Sequence, residues 1–332
     1  MLTVDVIYYV YNYNFVFLIN NGDFMFRVRG LLLYVFCLFL SFVGFLAPVY
    51  AASQEIFSSR PKNVPNDYVI TPNGYFHPSC VHTVQNDEIV LPGLIIEKQN
   101  GERRALEKCK YSNFSRAGQE RKPEKKLISP SDMVDGWKLD ASYQMENSLG
   151  ILSASWVVPA DPAINQGQSV AFFPGVQQIP LVSILQPVLD WNNYGIPGWT
   201  LVSWNCCEAG TTYHSVPVLS FAGDIIQGTV AYDAPTGGYT VKTTGRNGST
   251  SLKTRSYLQT VNQVFGAAME VNGVQSCDGL PASRSIKFYN ISVFDMNGRT
   301  VNQPFIPTYI GNECNYNISI RNGSPSEITF NF

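Results

Sequence analysis

The sequence predicts an all-β protein whose main body is a two-sheet antiparallel β-sandwich. Three observations carry this. Residues 150–332 hold short apolar and β-branched runs separated by Pro, Gly and Asn clusters. No stretch sustains a 3.6-residue period, and strands at such spacing are the mark of a sandwich or barrel rather than of βαβ units. Aromatic residues make up 13% of the chain, enough large side chains to fill the space between two facing sheets.

In chain order, the first segment, residues 1–52, reads as an upstream extension and a signal peptide. Arg27 and Arg29 precede the apolar run from Leu31 to Leu46, and Ala47-Pro-Val49-Tyr-Ala51 follows as a small-residue cleavage site. Basic, apolar and small-residue regions in that order are the anatomy of a secretory leader. The alternative is a membrane anchor, because the apolar run approaches the ~20 residues that span a bilayer. A membrane partner is expected only if this segment stays uncleaved.

Residues 53–110 are expected to form a small N-terminal β module or pro-region. Asn73-Gly74 and Asn100-Gly101 are turn signals, with the apolar runs Glu88–Leu91 and Gly93–Ile96 between them. Secretion makes the cysteines readable as bridges. Outside the leader there are six, and position suggests Cys80 with Cys109 and Cys277 with Cys314. Cys206 and Cys207 are left as a vicinal pair or as free or intermolecular thiols. The histidines His77, His82 and His214 are scattered, so neither a metal nor another cofactor is expected.

Residues 111–130 form a basic linker. Between Lys98 and Lys126 lie ten of the 23 basic residues and four acidic ones, whereas residues 127–332 carry nine basic and fourteen acidic side chains. Such a run is either a solvated connection or a pro-segment held on an acidic body and cut near Arg121-Lys122 or Lys125-Lys126. It lacks interleaved aromatics and the chain is net negative, which argues against nucleic acid as a partner.

The sandwich domain spans residues 131–332. Its expected strands are Ile151–Val158, Val170–Phe173, Ile184–Trp191, Trp199–Cys206, Val216–Phe221, Ile225–Tyr232, Tyr239–Thr244, Ala267–Val271, Ile286–Phe294 and Ile328–Phe332. Five sequons, at Asn113, Asn247, Asn290, Asn317 and Asn322, would accept glycans in a host that glycosylates secreted chains.

Five pieces of this domain occur in one order. They are Gly136-Trp137, Leu152-Ser-Ala-Ser-Trp156-Val-Val-Pro159, Phe172-Phe-Pro-Gly175, Ile184-Leu-Gln186-Pro-Val-Leu-Asp190 and Ala222-Gly-Asp224-Ile. Together they resemble the glutamic peptidases, or eqolisins, acid endopeptidases built as a concanavalin-like sandwich of the lectin and glucanase type. The resemblance implies that Gln186 takes the place of a glutamine that orients a water and donates to the oxyanion, beside a Glu acting as general base. It places Ser203, in Leu201-Val-Ser-Trp204, at the position of that Glu. A neutral hydroxyl cannot accept the proton at acid pH, so the standard pair is expected to be missing.

Two carboxylates are candidates to replace it. Asp190 shares the parity of Gln186 but lies four residues away, about 13 Å along a strand. Glu208 would need a bulge at Cys206-Cys207 to turn toward the cleft. A Ser203 and His214 pair would need an oxyanion loop that the sequence lacks. Trp137, Trp156 and Trp204 are candidates to line the cleft and stack on a ligand. The expected protein is therefore secreted and extracellular, and binds protein, peptide or glycan in the sandwich cleft. The alternative is an acid endopeptidase working with Gln186 and a relocated carboxylate.

Overall fold

A computed structural model describes residues 60–115, 118–122, 137–165, 167–178, 183–192, 196–206, 210–255, 261–309, 311 and 313–332. The expected leader, most of the expected basic linker, Cys207 and Glu208 lie outside these residues.

Among the described residues the N-terminal part carries eight short strands. They are β1 (Val69–Thr71), β2 (Gly74–Phe76), β3 (Val81–Val84), β4 (Glu88–Leu91), β5 (Ile95–Lys98), β6 (Arg103–Ala105), β7 (Asn113–Phe114) and β8 (Glu120–Arg121). The body supplies β9 (Trp137–Gln144), β10 (Leu149–Val157), β11 (Ser169–Gln178), β12 (Ile184–Trp191) and β13 (Trp199–Cys206). After these come β14 (Thr212–Ser215), β15 (Val218–Ser220), β16 (Ile225–Asp233), β17 (Gly238–Gly245) and β18 (Gly248–Thr254). The last are β19 (Val261–Asn272), β20 (Ser285–Asp295), β21 (Ile306–Tyr309), β22 (Asn317–Arg321) and β23 (Ser326–Asn331).

These strands form two large sheets and one small one. The ten-stranded sheet runs β22-β23-β20-β10-β16-β17-β18-β4-β5-β6. The nine-stranded sheet runs β21-β9-β19-β11-β12-β13-β14-β3, with β15 beside β13. Between them lies a core that includes Leu152, Trp156, Phe172, Leu189, Leu201, Val230 and Phe288, all fully buried. Both sheets are antiparallel except at β14 with β3 and β18 with β4, which are parallel.

Those two exceptions tie the N-terminal part to the body. Strands β3 to β6 extend both large sheets, and Val84, Val90, Leu94 and Ile96 share a buried cluster with Tyr213 and Leu252. The remaining strands, β1-β2-β7-β8, make the small sheet, closed over Val64, Tyr68, Tyr75 and Phe114. The bridge Cys80–Cys109 clips this module and Cys277–Cys314 staples the C-terminal loops. Cys206 is also disulfide-bonded, and no described cysteine is its partner. Of the sequon asparagines, Asn113 is buried, while Asn247, Asn290, Asn317 and Asn322 are exposed.

The expected strands at 184–191 and 199–206 match β12 and β13 to the residue. Strands β9, β14, β18, β21 and β22 were not expected. Their sequences, such as Gly-Ser-Thr-Ser-Leu-Lys-Thr in β18, carry too few apolar residues to stand out. They are held by pairing: β18 bonds β17 along its whole length.

Candidate functional site

Pairing register decides which side chains share a face, because directly opposed residues point the same way. Gln186 pairs with Trp204, and Trp204 with His214. Asp190 pairs with Ala171, and Ala171 with Glu270. Val188 lies opposite Val202, and Phe173 opposite Ala268. All of these belong to the outer face of the nine-stranded sheet, the one turned away from the core between the sheets. An apolar cluster of Trp137, Ala171, Phe173, Val188, Val202, Trp204, Phe265 and Ala268 floors it. Trp137 meets Phe173 and Phe265 edge-on, with ring centroids 5.2 and 4.7 Å apart.

The structure separates two residues that the resemblance puts together. Ser203 pairs with Pro187, not with Gln186, so it faces inward. Its hydroxyl lies 3.2 Å from Thr243 Oγ1 and donates to Thr250 O at 3.4 Å, both on the opposite sheet. Ser203 is thus a satisfied hydroxyl bridging the two layers, with no line to Gln186. Trp156 is likewise a core residue: it packs on Phe288, and a side chain at Gly228 would collide with its ring. Trp137 and Trp204 are on the outer face; Trp156 is not.

A serine and histidine pair is not assembled either. His214 Nδ1 donates to Ser215 O at 2.9 Å, which leaves Nε2 to accept from Thr83 Oγ1 at 3.1 Å. Burial lowers its pKa, partly offset by the Ser215 bond, so the ring is held neutral. It sits on the face opposite to the Ser203 hydroxyl.

The carboxylates are arranged differently from the sequence reading. Asp190 is buried and accepts from Ser169 Oγ at 3.1 Å. Glu270, which the sequence reading passed over, is equally buried and occupies the same cross-strand row, two strands away. The signal was present, since Glu270 is a charged residue inside the apolar run Ala267–Val271. Asp140 on β9 pairs with Ala268, and burial lifts its carboxyl to about 6 despite hydrogen bonds from Ser142 and Thr308. Neither Asp190 nor Glu270 shares the row of Gln186. Among the described residues no cluster of three or more His, Cys, Asp or Glu could hold a metal ion.

The face is already covered, and the cover is the small N-terminal sheet. Asn73 Nδ2 donates to Gln186 Oε1 at 3.3 Å. Tyr75 Oη donates to Asn272 Oδ1 at 2.8 Å, and Phe76 joins the Trp137, Phe173 and Trp204 cluster. The hairpin between β1 and β2 is locally fixed: Thr71 Oγ1 accepts from Asn73 N and donates to Gly74 O, each at 3.1 Å. Gly74 has φ +104°, and a Cβ there would sit 2.2 Å from Phe114 O, so only glycine fits. The sequence showed Asn73-Gly74 as a turn, but nothing local links it to a glutamine 113 residues on.

No family model matches the chain, and no curated protein matches it by sequence. Among solved structures, it is similar to scytalido-glutamic peptidase bound to a transition-state analogue inhibitor. That likeness has 16% identity and a TM-score of 0.44, and covers 59% of this chain and 98% of that one. A second, SCP-B of the eqolisin family in complex with the tripeptide Ala-Ile-His, has 16% identity, a TM-score of 0.42 and the same coverage.

Proposed function

We propose that this is a secreted, eqolisin-like protein whose outer sheet face binds polypeptide without the Gln and Glu pair, with its own β1–β2 hairpin as resident occupant. The observation that carries the reading is the buried hydrogen bond from Asn73 to Gln186, made by a hairpin that also seats Phe76 in the tryptophan cluster. A face that holds one extended segment through side-chain hydrogen bonds and the burial of a phenylalanine has the chemistry to hold another. Two described disulfides fit an oxidising compartment, which supports secretion. A glycan is the weaker choice, because the floor is largely apolar and offers few partners for sugar hydroxyls.

The second reading is an acid endopeptidase in which Gln186 orients water and a relocated carboxylate removes its proton. It is favoured by Asp190 and Glu270 lying buried on the face of Gln186. Their shared row is four residues along β12 from Gln186, about 13 Å at the backbone, which weighs against one shared water.

Both readings are tested with the full chain and its Asn73→Ala variant, which loosens the hairpin. Each is offered a denatured, carboxymethylated protein between pH 3 and 7, with binding and cleavage products followed together. Binding without cleavage, stronger for Asn73→Ala than for wild type, is the expected result. Cleavage that disappears in Gln186→Ala and in Glu270→Gln or Asp190→Asn would replace the binding reading with the peptidase. No binding and no cleavage by either folded protein would remove both.

A further inference from the structure

We infer that the ligand class of this face is an extended polypeptide that presents one large aromatic side chain to the Trp137, Phe173 and Trp204 cluster and one polar group to Gln186. The inference rests on reading the face as a polypeptide-binding surface, and takes the resident hairpin as the template for what the surface accepts. Phe76 is 1% exposed and belongs to the cluster on the sheet, whereas its neighbour Tyr75 packs in the small module's own core. Phe76 is therefore given to the face whole, while Tyr75 keeps its ring in the small module and reaches the sheet with its hydroxyl, on Asn272. Small residues make the space: Ala171 and Ala268 lie in the floor, and Gly175 stands beside Gln186, where a Cβ would come within 3.5 Å of Gln186 Cγ. Phe76 packs into this cluster together with Ala171 and Ala268.

The hairpin is also an incomplete occupant. With it in place, Gln186 Nε2, Asn73 Oδ1, Trp137 Nε1 and Trp204 Nε1 are buried without a hydrogen-bond partner among the described residues. Buried polar atoms left unpaired are costly. An incoming chain whose backbone or side-chain carbonyl reaches Gln186 Nε2 satisfies a donor that the hairpin leaves unmet, so such a ligand can displace it. Asn73 and Gln186 then act as a latch. The three NH groups, on Gln186, Trp137 and Trp204, call for acceptors, which the carbonyls of an extended peptide supply at regular intervals.

The test uses full-length Asn73→Ala and Phe76→Ala proteins, each checked for a native near-ultraviolet dichroism spectrum. They are titrated with fluorescent octapeptides that differ at one central position, Phe, Leu, Gly or Asp, and with a neutral oligosaccharide. Asn73→Ala removes one side-chain hydrogen bond and a small buried carboxamide, a milder change that keeps the test available should Phe76→Ala not fold. The expected result is that the Phe peptide binds at least tenfold more tightly than the Gly peptide, and that Trp204→Leu in the same background abolishes the difference. Equal affinity for Phe and Gly peptides would overturn the aromatic assignment and leave the polypeptide-binding reading standing. Binding of the oligosaccharide alone, or of no probe by either folded variant, would overturn both.

Discussion

A chain cut back to residues 131–332 is expected not to fold. Strands β3 and β4 are the parallel partners of β14 and β18, so the cut exposes one edge in each large sheet. It also strips Val84, Val90, Leu94 and Ile96 from the cluster they share with Tyr213 and Leu252. Four side chains of this kind contribute about 1.5–3 kcal/mol each when buried. The total rivals the ~5–15 kcal/mol that holds a typical protein folded. A chain nicked after Arg121 but keeping both pieces should retain its near-ultraviolet spectrum and a cooperative urea transition; the truncated chain should show neither. A truncated body as stable as the full chain would mean that β3 to β6 are dispensable. The result bears on the basic linker, since cleavage near Arg121-Lys122 would then yield a two-piece protein rather than release a pro-segment.

Replacing Asp140 by Asn should stabilise the protein at neutral pH, with most of that gain gone by pH 4. Burial lifts the folded-state pKa of Asp140 to about 6 from an ordinary value of 3.8. The folded protein therefore binds this proton more tightly than the unfolded chain, and stability falls as pH rises through that window. A shift of this size corresponds to roughly 2–3 kcal/mol at pH 7. Asn keeps hydrogen-bonding capacity toward Ser142 and Thr308 without the charge. His82 and His214, held neutral by burial, act in the opposite sense as pH drops below their ordinary value. Variant minus wild type across pH 4–8 isolates the aspartate. A difference curve that is flat, or that favours wild type at pH 7, would contradict the assignment.

The sandwich was legible because its central strands carry their own apolar signal. Ile184–Trp191 and Trp199–Cys206 are buried on both faces and read as near-continuous apolar runs. The edge strands are polar and exist through pairing, as β18 and the wholly exposed β21 illustrate. The site was only half legible for a related reason. Gln186 and Asp190 share a face by parity within one strand, which sequence gives directly. Whether Ser203 faces Gln186 depends on the register between β12 and β13, and a one-residue slip would exchange the faces. Trp156 lies in the core because parity alone does not say which face of a strand is the inner one, whereas the charge of Glu270 inside Ala267–Val271 was visible in the sequence. Asn73 and Phe76 reach the face only through the third sheet, and no periodicity encodes that contact.

The claim that the hairpin occupies the ligand site is tested most directly by amide hydrogen exchange on the full chain, with and without a saturating unfolded polypeptide. If ligand and hairpin compete for the face of Gln186, exchange at Val69–Phe76 accelerates on binding while β3 to β6 keep their protection. Ligand binding that leaves Val69–Phe76 as protected as before would contradict the account and move the binding surface elsewhere on the protein.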